Sequence, residues 1–291
     1  MLKKQTAIPR LDICTLSEFK EDDLMVSRLS DYLNAHQDLI FPHRHSFYHL
    51  VFFTGGAGSH AIDFQNFPVC RYQIYFMAPG QVHSWCFKGN MTGFVINFSD
   101  SFFQSFLLRS DYLESFYFLN GISEDAVLNL EGLLAQRVEA LFESLLIQSN
   151  MAGKMQLDMI RLLLLQILIT VEQGYPHPSK HVLPSQNAVV RSFLKLIDLN
   201  FIKMRLPGQY AELLNVSPNY LNALSKENLG KQAGEVIRDR VLLEAKRMLI
   251  VPERTVAEIA YHLNFNDNSY FTRFFKKYAG MTPEVFREKI H

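Results

Sequence analysis

The sequence predicts an α+β protein, with its strands gathered in the N-terminal half and helices alone after residue 188. Three observations carry that prediction. Short β-type runs broken by turn residues fill Phe47 to Phe98. Helical apolar spacing takes over after Ser99. A proline-containing polar stretch at 174–187 then separates two regions of opposite charge balance. A chain of 291 residues is long enough for two domains, and 48% hydrophobic residues supply real cores and exclude a disordered chain.

The expected strands are Phe47–Thr54, His60–Phe64, Gln73–Met77, His83–Phe87 and Gly93–Phe98. Their expected breaks are Gly55-Gly56-Ala57-Gly58, Asn66-Phe67-Pro68, Pro79-Gly80 and Lys88-Gly89-Asn90. Many short strands at this spacing make a small barrel or sandwich. Beyond them, Asp100–Leu108 and Asp111–Phe118 read as short helices. A longer helix is expected from 123 or 124 to 148, with a stripe of Leu130, Leu134, Val138, Leu141 and Leu145. Lys154–Glu172 is apolar nearly all round and must be covered, by the sheet or by a second copy of itself. Its greasiest run, Met159 to Val171, contains Arg161 and Gln166 and falls short of the roughly 20 apolar residues a membrane span needs. We therefore expect no membrane partner. Pro176, Pro178 and Pro184 mark a linker at 176–187, between a first domain at 1–175 and a second at 188–291.

The formal charge is zero, but it is unevenly divided. Residues 188–291 hold 16 Lys and Arg against 11 Asp and Glu, and residues 1–187 hold 13 against 18. A basic module joined to an acidic one fits a nucleic-acid binder with a separate partner domain. Cys14, Cys70 and Cys86 form no CxxC pair and no even set, which points to a reduced, cytoplasmic setting. The start, Met-Leu-Lys-Lys-Gln-Thr, lacks the apolar core of a signal peptide.

The C-terminal region contains a repeat. Ala211 to Leu221 aligns with Ala260 to Phe271 after one inserted residue; Lys226 then pairs with Lys276 and Gly230 with Gly280. Ala211 and Ala260 are small where two helices cross. Asn215 and Asn264 stand at corners that want a left-handed backbone. Ser217-Pro218 reads as an N-cap with proline at the first helical position, Asp267 as the cap of the matching helix, and Thr255-Val-Ala-Glu258 as a capping box. In the last helix Tyr270, Phe271, Phe274 and Phe275 are expected to face inward, with Asn268, Ser269, Thr272 and Arg273 outward. Two such helix-turn-helix units fit successive faces of the DNA major groove.

From Arg240-Val-Leu-Leu-Glu-Ala-Lys-Arg-Met-Leu249 through Thr255-Val-Ala-Glu-Ile-Ala260, Asn264-Phe265, Asn268 to Lys277, Gly280-Met-Thr-Pro283 and Phe286-Arg287, the sequence resembles the DNA-binding domain of the AraC/XylS family. The resemblance covers about 100 residues. It implies seven helices, with two helix-turn-helix units bridged by a long helix from about Ala233 to Leu249. Carried over by position, it places Asn219, Asn222 and Ala223 toward bases in the first unit and Asn268, Ser269 and Arg273 in the second. Lys226, Lys276 and Lys277 are phosphate contacts or solvated charges. Ala223 stands where the family often has arginine, Ser225 where a core phenylalanine is usual, and both corners are asparagine rather than glycine.

In the N-terminal half, His43, His45, Phe47 and His49 share one face at period two. His83 follows Pro79-Gly80-Gln-Val. The order resembles a cupin barrel, in which His-x-His, a later ligand and Pro-Gly-x-x-His surround a centre; His49 occupies a place where metal-binding cupins usually carry glutamate. Three readings stand open: a metal site of His43, His45, His49 and His83, suited to Zn, Fe, Ni or Cu; a small-molecule effector pocket lined by these residues and Trp85; or structural histidines, with Trp85 as core. We take the second, without metal or cofactor. The expected protein is a non-enzymatic transcription regulator, a cupin-like barrel with a helical dimerisation segment followed by a double helix-turn-helix. Its expected partners are double-stranded DNA, an effector, a second copy of itself and RNA polymerase. An oxygenase or isomerase would need the metal and would leave the DNA-binding half without a role.

Overall fold

The computed structural model describes residues 10–11, 23–37, 42–103, 106–109, 111–175, 188–251 and 254–290. These fall into two compact units, one within 9–177 and one within 178–291. The linker expected at 176–187 and Cys14 lie outside the described residues.

The first unit is built on one eight-stranded sheet: β1 Arg10–Leu11, β2 Leu24–Arg28, β3 His43–His45, β4 Tyr48–Ile62, β5 Gln65–Pro68, β6 Gln73–Met77, β7 Val82–Phe98 and β8 Val127–Asn129. Its strands run β1-β3-β7-β4-β6-β8, with β2 added on β7 and β5 on β4. All pairs are antiparallel except β1 with β3.

Three expected breaks are absent. Residues 55–58 do not end a strand, because β4 continues through them beside β7 with register shifts between Phe53 and Gly55 and between Gly55 and Ala57. Shifts of this kind add twist and let one strand bend without losing its partner. Gly58 shows why glycine is needed: its φ is 134°, and a Cβ there would lie 2.3 Å from the Cys86 carbonyl oxygen. Lys88 to Asn90 likewise sit inside β7, and Asn66 to Pro68 inside β5.

The sheet buries both faces. Val51, Phe53, Tyr75, Trp85 and Val95 turn to one side, where α1 (Leu29–Ala35) contributes Leu29 and Tyr32. Leu50, Phe52, Phe76, Phe94 and Phe98 are also buried, and here the helices cover them. Phe142 of α2 (Gly132–Ser149) stacks on Phe52 at 5.2 Å and meets Phe94 at 5.3 Å. Phe118 stacks on Phe76 at 4.0 Å. Arg28 of β2 grips Glu143 with two bonds of 2.8 and 2.6 Å.

The buried stripe of α2 is Ala135, Val138, Phe142 and Leu145, which corrects the expected leucine stripe. Leu130 precedes the helix, and Leu134 and Leu141 are only half-buried. The large Phe142 ring, wedged between two sheet aromatics, sets the rotation. The α3 helix (Gln156–Gly174) packs along α2 and buries Ile160, Leu164, Leu165, Ile167, Leu168 and Val171. Among the described residues, the stretches expected as helices at Asp100–Leu108 and Asp111–Phe118 show only 3-10 turns, at Asp100–Phe103, Tyr112–Ser115 and Tyr117–Leu119. Short aromatic-rich segments do not repay helix nucleation; buried rings hold them instead. No described helix is long and apolar enough to cross a membrane.

Among the described residues the second unit has seven helices: α4 Ala188–Asn200, α5 Pro207–Leu213, α6 Pro218–Leu229, α7 Ala233–Leu249, α8 Val256–His262, α9 Asn268–Ala279 and α10 Pro283–Ile290. One core joins them, with Ile237, Val241, Ala245 and Leu249 of α7 between Leu221 of α6 and Phe271 and Phe275 of α9.

Candidate nucleic-acid interface and candidate sensor site

The pairs α5–α6 and α8–α9 are built alike. Asn215 and Asn264 take the left-handed backbone at φ 52° and 58°. Each corner is closed by matching bonds, Val216 N–H to Ala211 carbonyl at 3.0 Å and Phe265 N–H to Ala260 carbonyl at 2.9 Å. Ala211 and Ala260 are buried, as close helix crossing requires. Ser217 Oγ accepts from Tyr220 N–H at 3.2 Å, and Asp267 Oδ1 accepts from Tyr270 N–H at 2.6 Å. Both outer helices end on a left-handed glycine, Gly230 and Gly280. Arg205, just before α5, ties the two helix pairs together: its guanidinium donates to the Leu263 carbonyl and lies 4.9 Å from the Phe265 ring centre.

The outer faces differ in charge. On α6, Asn219, Tyr220, Ala223, Lys226 and Glu227 are exposed; on α9, Asn268, Ser269, Tyr270, Arg273, Lys276 and Lys277 are. One cation is thus balanced by an acid on the first helix, while the second carries three cations.

Three sequence-derived placements change. Asn222 is half-buried, and its Oδ1 accepts from Ala233 N–H at 3.1 Å, so it braces α7 instead of standing free toward a groove. Tyr270 is 55% exposed, not core. Thr272 is half-buried. Tyr220, Tyr270 and Glu227 join the outer face, beyond the residues the sequence pattern placed there. Helical phase from the caps would have found them, since Tyr220 and Tyr270 both stand three residues after the cap. Ser225 is fully buried, and its hydroxyl donates to the Lys231 carbonyl at 2.7 Å. A small polar side chain therefore fills the place where phenylalanine was anticipated.

The first unit brings all four sequence-identified histidines together and adds a fifth. His43 and His45 come from β3, His49 and His60 from β4, His83 and Trp85 from β7, and all six are buried. The registers His43↔His83 and His60↔Trp85 align them. His60 was missed because it follows the glycines taken as a break; the bulged strand carries it back to the same face. His83 is the hub, with Nε2 2.8 Å from His45 Nε2 and Nδ1 3.0 Å from His60 Nε2. His49 Nδ1 donates to Asn97 Oδ1 at 2.5 Å, which leaves its Nε2 as a lone pair. That Nε2, with His45 Nδ1, His60 Nδ1 and Trp85 Nε1, has no hydrogen-bond partner among the described residues. Tyr32 of α1 closes the group, 5.9 Å from His49 and 6.0 Å from Trp85 between ring centres.

Burial, then the neighbouring histidines, hold His45, His60 and His83 well below the usual imidazole range. Burial takes His49 down to about 3 against the opposing Asn97 bond. These four rings are therefore neutral near pH 7.

Comparison with known proteins gives two family matches. A helix-turn-helix domain model covers residues 210–289, and an AraC-like ligand binding domain model covers residues 32–165. The chain belongs to the AraC family of transcription regulators. Among relatives of this AraC-family chain, the uncharacterized transcriptional regulatory protein YesN of Bacillus subtilis is 36% identical over 108 residues, which are 35% of this chain and 29% of YesN. The chain thus spans under a third of that relative's length. The transcriptional activator RhaR of Mannheimia succiniciproducens is 20% identical over 86% of this chain and 88% of its own. The crystal structure of ToxT from Vibrio cholerae O395 aligns over 92% of this chain and 98% of its own, with 14% identity and a TM-score of 0.44.

Proposed function

We propose that the protein is a one-component, effector-controlled transcription regulator that binds DNA through α6 and α9 and works in the cytoplasm. The observation that carries this is the duplicated helix-turn-helix pair, each outer helix capped by a side-chain oxygen at its start and a left-handed glycine at its end, with polar outer faces. On this reading α9 reads bases through Ser269 and Arg273, with Asn268 at its N-terminus, while Lys276 and Lys277 hold phosphates. On α6, Asn219 and Ala223 face the groove and Lys226 a phosphate. Residues 1–175 form the sensor, 176–187 the linker and 188–291 the DNA-binding domain.

The sensor centre is the histidine group with Trp85, and we assign it to binding and not to catalysis. Its occupant acts by binding one of two states more tightly, which is the requirement for any shift between them.

We further assign α2 and α3 to homodimerisation. Leu133, Ile147, Met151, Met155, Met159 and Leu162 are exposed along or beside these helices. A second copy would cover them and bring four helix-turn-helix units to one site at high effective concentration. RNA polymerase is the proposed further partner, in keeping with a relative named as an activator.

The deciding experiment measures binding of the full chain to its own upstream DNA across a range of salt. Sequence-preferring affinity that falls steeply with salt is expected. Equal affinity for unrelated DNA, or none, would sink the proposal.

A further inference from the structure

We infer that Arg205 is a positioning residue that fixes the distance and phase between α6 and α9, so that the protein selects DNA sites by the spacing of two major-groove faces. The inference rests on the DNA-binding reading of α6 and α9 and adds a spacing rule to it. Arg205 stands in the connection between α4 and α5, and its backbone is tied to the first helix pair. Gln209 Oε1, in the first turn of α5, accepts from Arg205 N–H and from Leu206 N–H, each at 3.0 Å. Tyr210 OH donates to the Met204 carbonyl at 2.9 Å and holds the preceding residue. The side chain leaves this anchored turn for the second pair. Its guanidinium donates to the carbonyl of Leu263, the residue that ends α8, and faces the Phe265 ring at 4.9 Å.

Both contacts fall on the corner that aims α9. The last carbonyls of a helix have no partner within it, and Leu263 is fully buried, so a donor from outside the pair satisfies this one. Phe265 packs on Phe271 and Phe274 of α9 at 5.2 and 5.1 Å between ring centres. A planar guanidinium on that ring therefore presses on the packing that holds α9. Apolar packing does not close the seam beside it. An open cavity of about 490 Å³ is lined by Ile202 and Lys203 ahead of α5 and by Tyr261, His262 and Phe265 of the second pair. The α7 helix joins the two pairs through the shared core, and half-buried Arg205 braces them at a second point. Two separated attachments restrict a rocking motion that one allows. On DNA, each added base pair moves one face about 3.4 Å from the other and turns it about 35°. A rigid pair of helices meets one spacing, whereas a loosened pair meets several.

The test uses the full native chain to select a site from random DNA, and footprinting to locate adjacent protected segments. Fluorescence anisotropy then gives affinities for that site and for copies with one base pair added or removed between those segments. The native chain should lose about tenfold or more on the shifted copies. Arg205→Met keeps an apolar stem on Phe265 but has no N–H to give. It should bind the matched site about tenfold more weakly and lose less than about threefold on the shifted copies. A smaller folded fraction would weaken binding to matched and shifted DNA equally, so the ratio separates positioning from stability. Should Arg205→Met not melt cooperatively, Arg205→Gln, too short to reach the carbonyl, replaces it with the same expectation. A native chain indifferent to spacing, or a folded variant with the native ratio, overturns the inference and leaves the DNA-binding reading standing. A native chain that selects no site brings down both.

Discussion

Asn222 Oδ1 and the backbone N–H of Ala233 are hydrogen-bonded at 3.1 Å, joining α6 to the start of α7. An unpaired N–H at a helix start costs about 1–3 kcal/mol where it is kept from water. Asn222→Ala should therefore destabilise the DNA-binding unit by about 1 kcal/mol. It should weaken binding evenly across operator variants. Thermal melts and a panel of single-base substitutions would check this; a preference shifting at one base pair would return Asn222 to the reading face.

The outer faces of α6 and α9 predict opposite results for two substitutions. Arg273→Ala should relax base preference at one position and cost about 1–3 kcal/mol of binding. Glu227→Gln removes an exposed acid from a face that otherwise carries Lys226, so affinity should rise most at low salt. Fluorescence anisotropy at several salt concentrations separates the two, since the gain from Glu227→Gln should fade as salt rises.

Phe142 sits between Phe52 and Phe94 and is fully buried. Phe142→Ala should cost the sheet unit about 3–5 kcal/mol, read by denaturant unfolding. A cost under about 1 kcal/mol would mean that α2 is not anchored there.

These residues show what the sequence made legible. Alternation placed His43, His45 and His49 on one face, and the proline-glycine turn brought His83 to it. His60 stayed hidden because glycine-rich stretches read as turns when only local signals are weighed, whereas here the partner strand β7 keeps β4 extended through its bulges. The second unit was more legible because its caps and corners are local. Asn215, Asn264, Ser217 and Asp267 do what their side chains dictate within three or four residues. Tyr270 departs from its inward expectation because helical phase, and not aromatic character, sets the face it occupies. The α2 stripe slipped because leucines at regular spacing concealed the one phenylalanine that sets its rotation.

The exposed apolar side chains on α3 offer a test of self-association. Leu162→Glu places a charge at a 52% exposed site, so the monomer fold should survive. Sedimentation should show dissociation, and affinity for a two-half-site operator should fall by about 10²-fold or more as avidity is lost. A variant that sediments like the native protein would move the interface elsewhere.

The capping box of α8 predicts a pH effect of definite sign. Thr255 N–H donates to Glu258 Oε2 at 2.7 Å, the Thr255 hydroxyl donates to the same oxygen at 2.9 Å, and Glu258 N–H donates back to Thr255 Oγ1 at 3.1 Å. The backbone bond from Thr255, then the hydroxyl bond, hold the Glu258 carboxyl below its ordinary value. A carboxyl whose folded value is depressed binds protons more readily when unfolded. Its contribution is therefore complete above the unfolded carboxylate range and is lost as pH falls through the folded value. Hydrogen exchange of the α8 amides, corrected for intrinsic rates, should show protection fading across that range in the native protein. Glu258→Gln keeps an acceptor oxygen but has no proton to gain, so its protection should start lower and change less. Because α8 positions the corner that aims α9, operator affinity should follow the same acid limb and flatten in the same variant; equal pH slopes in both proteins would show that the box does not couple protonation to this helix.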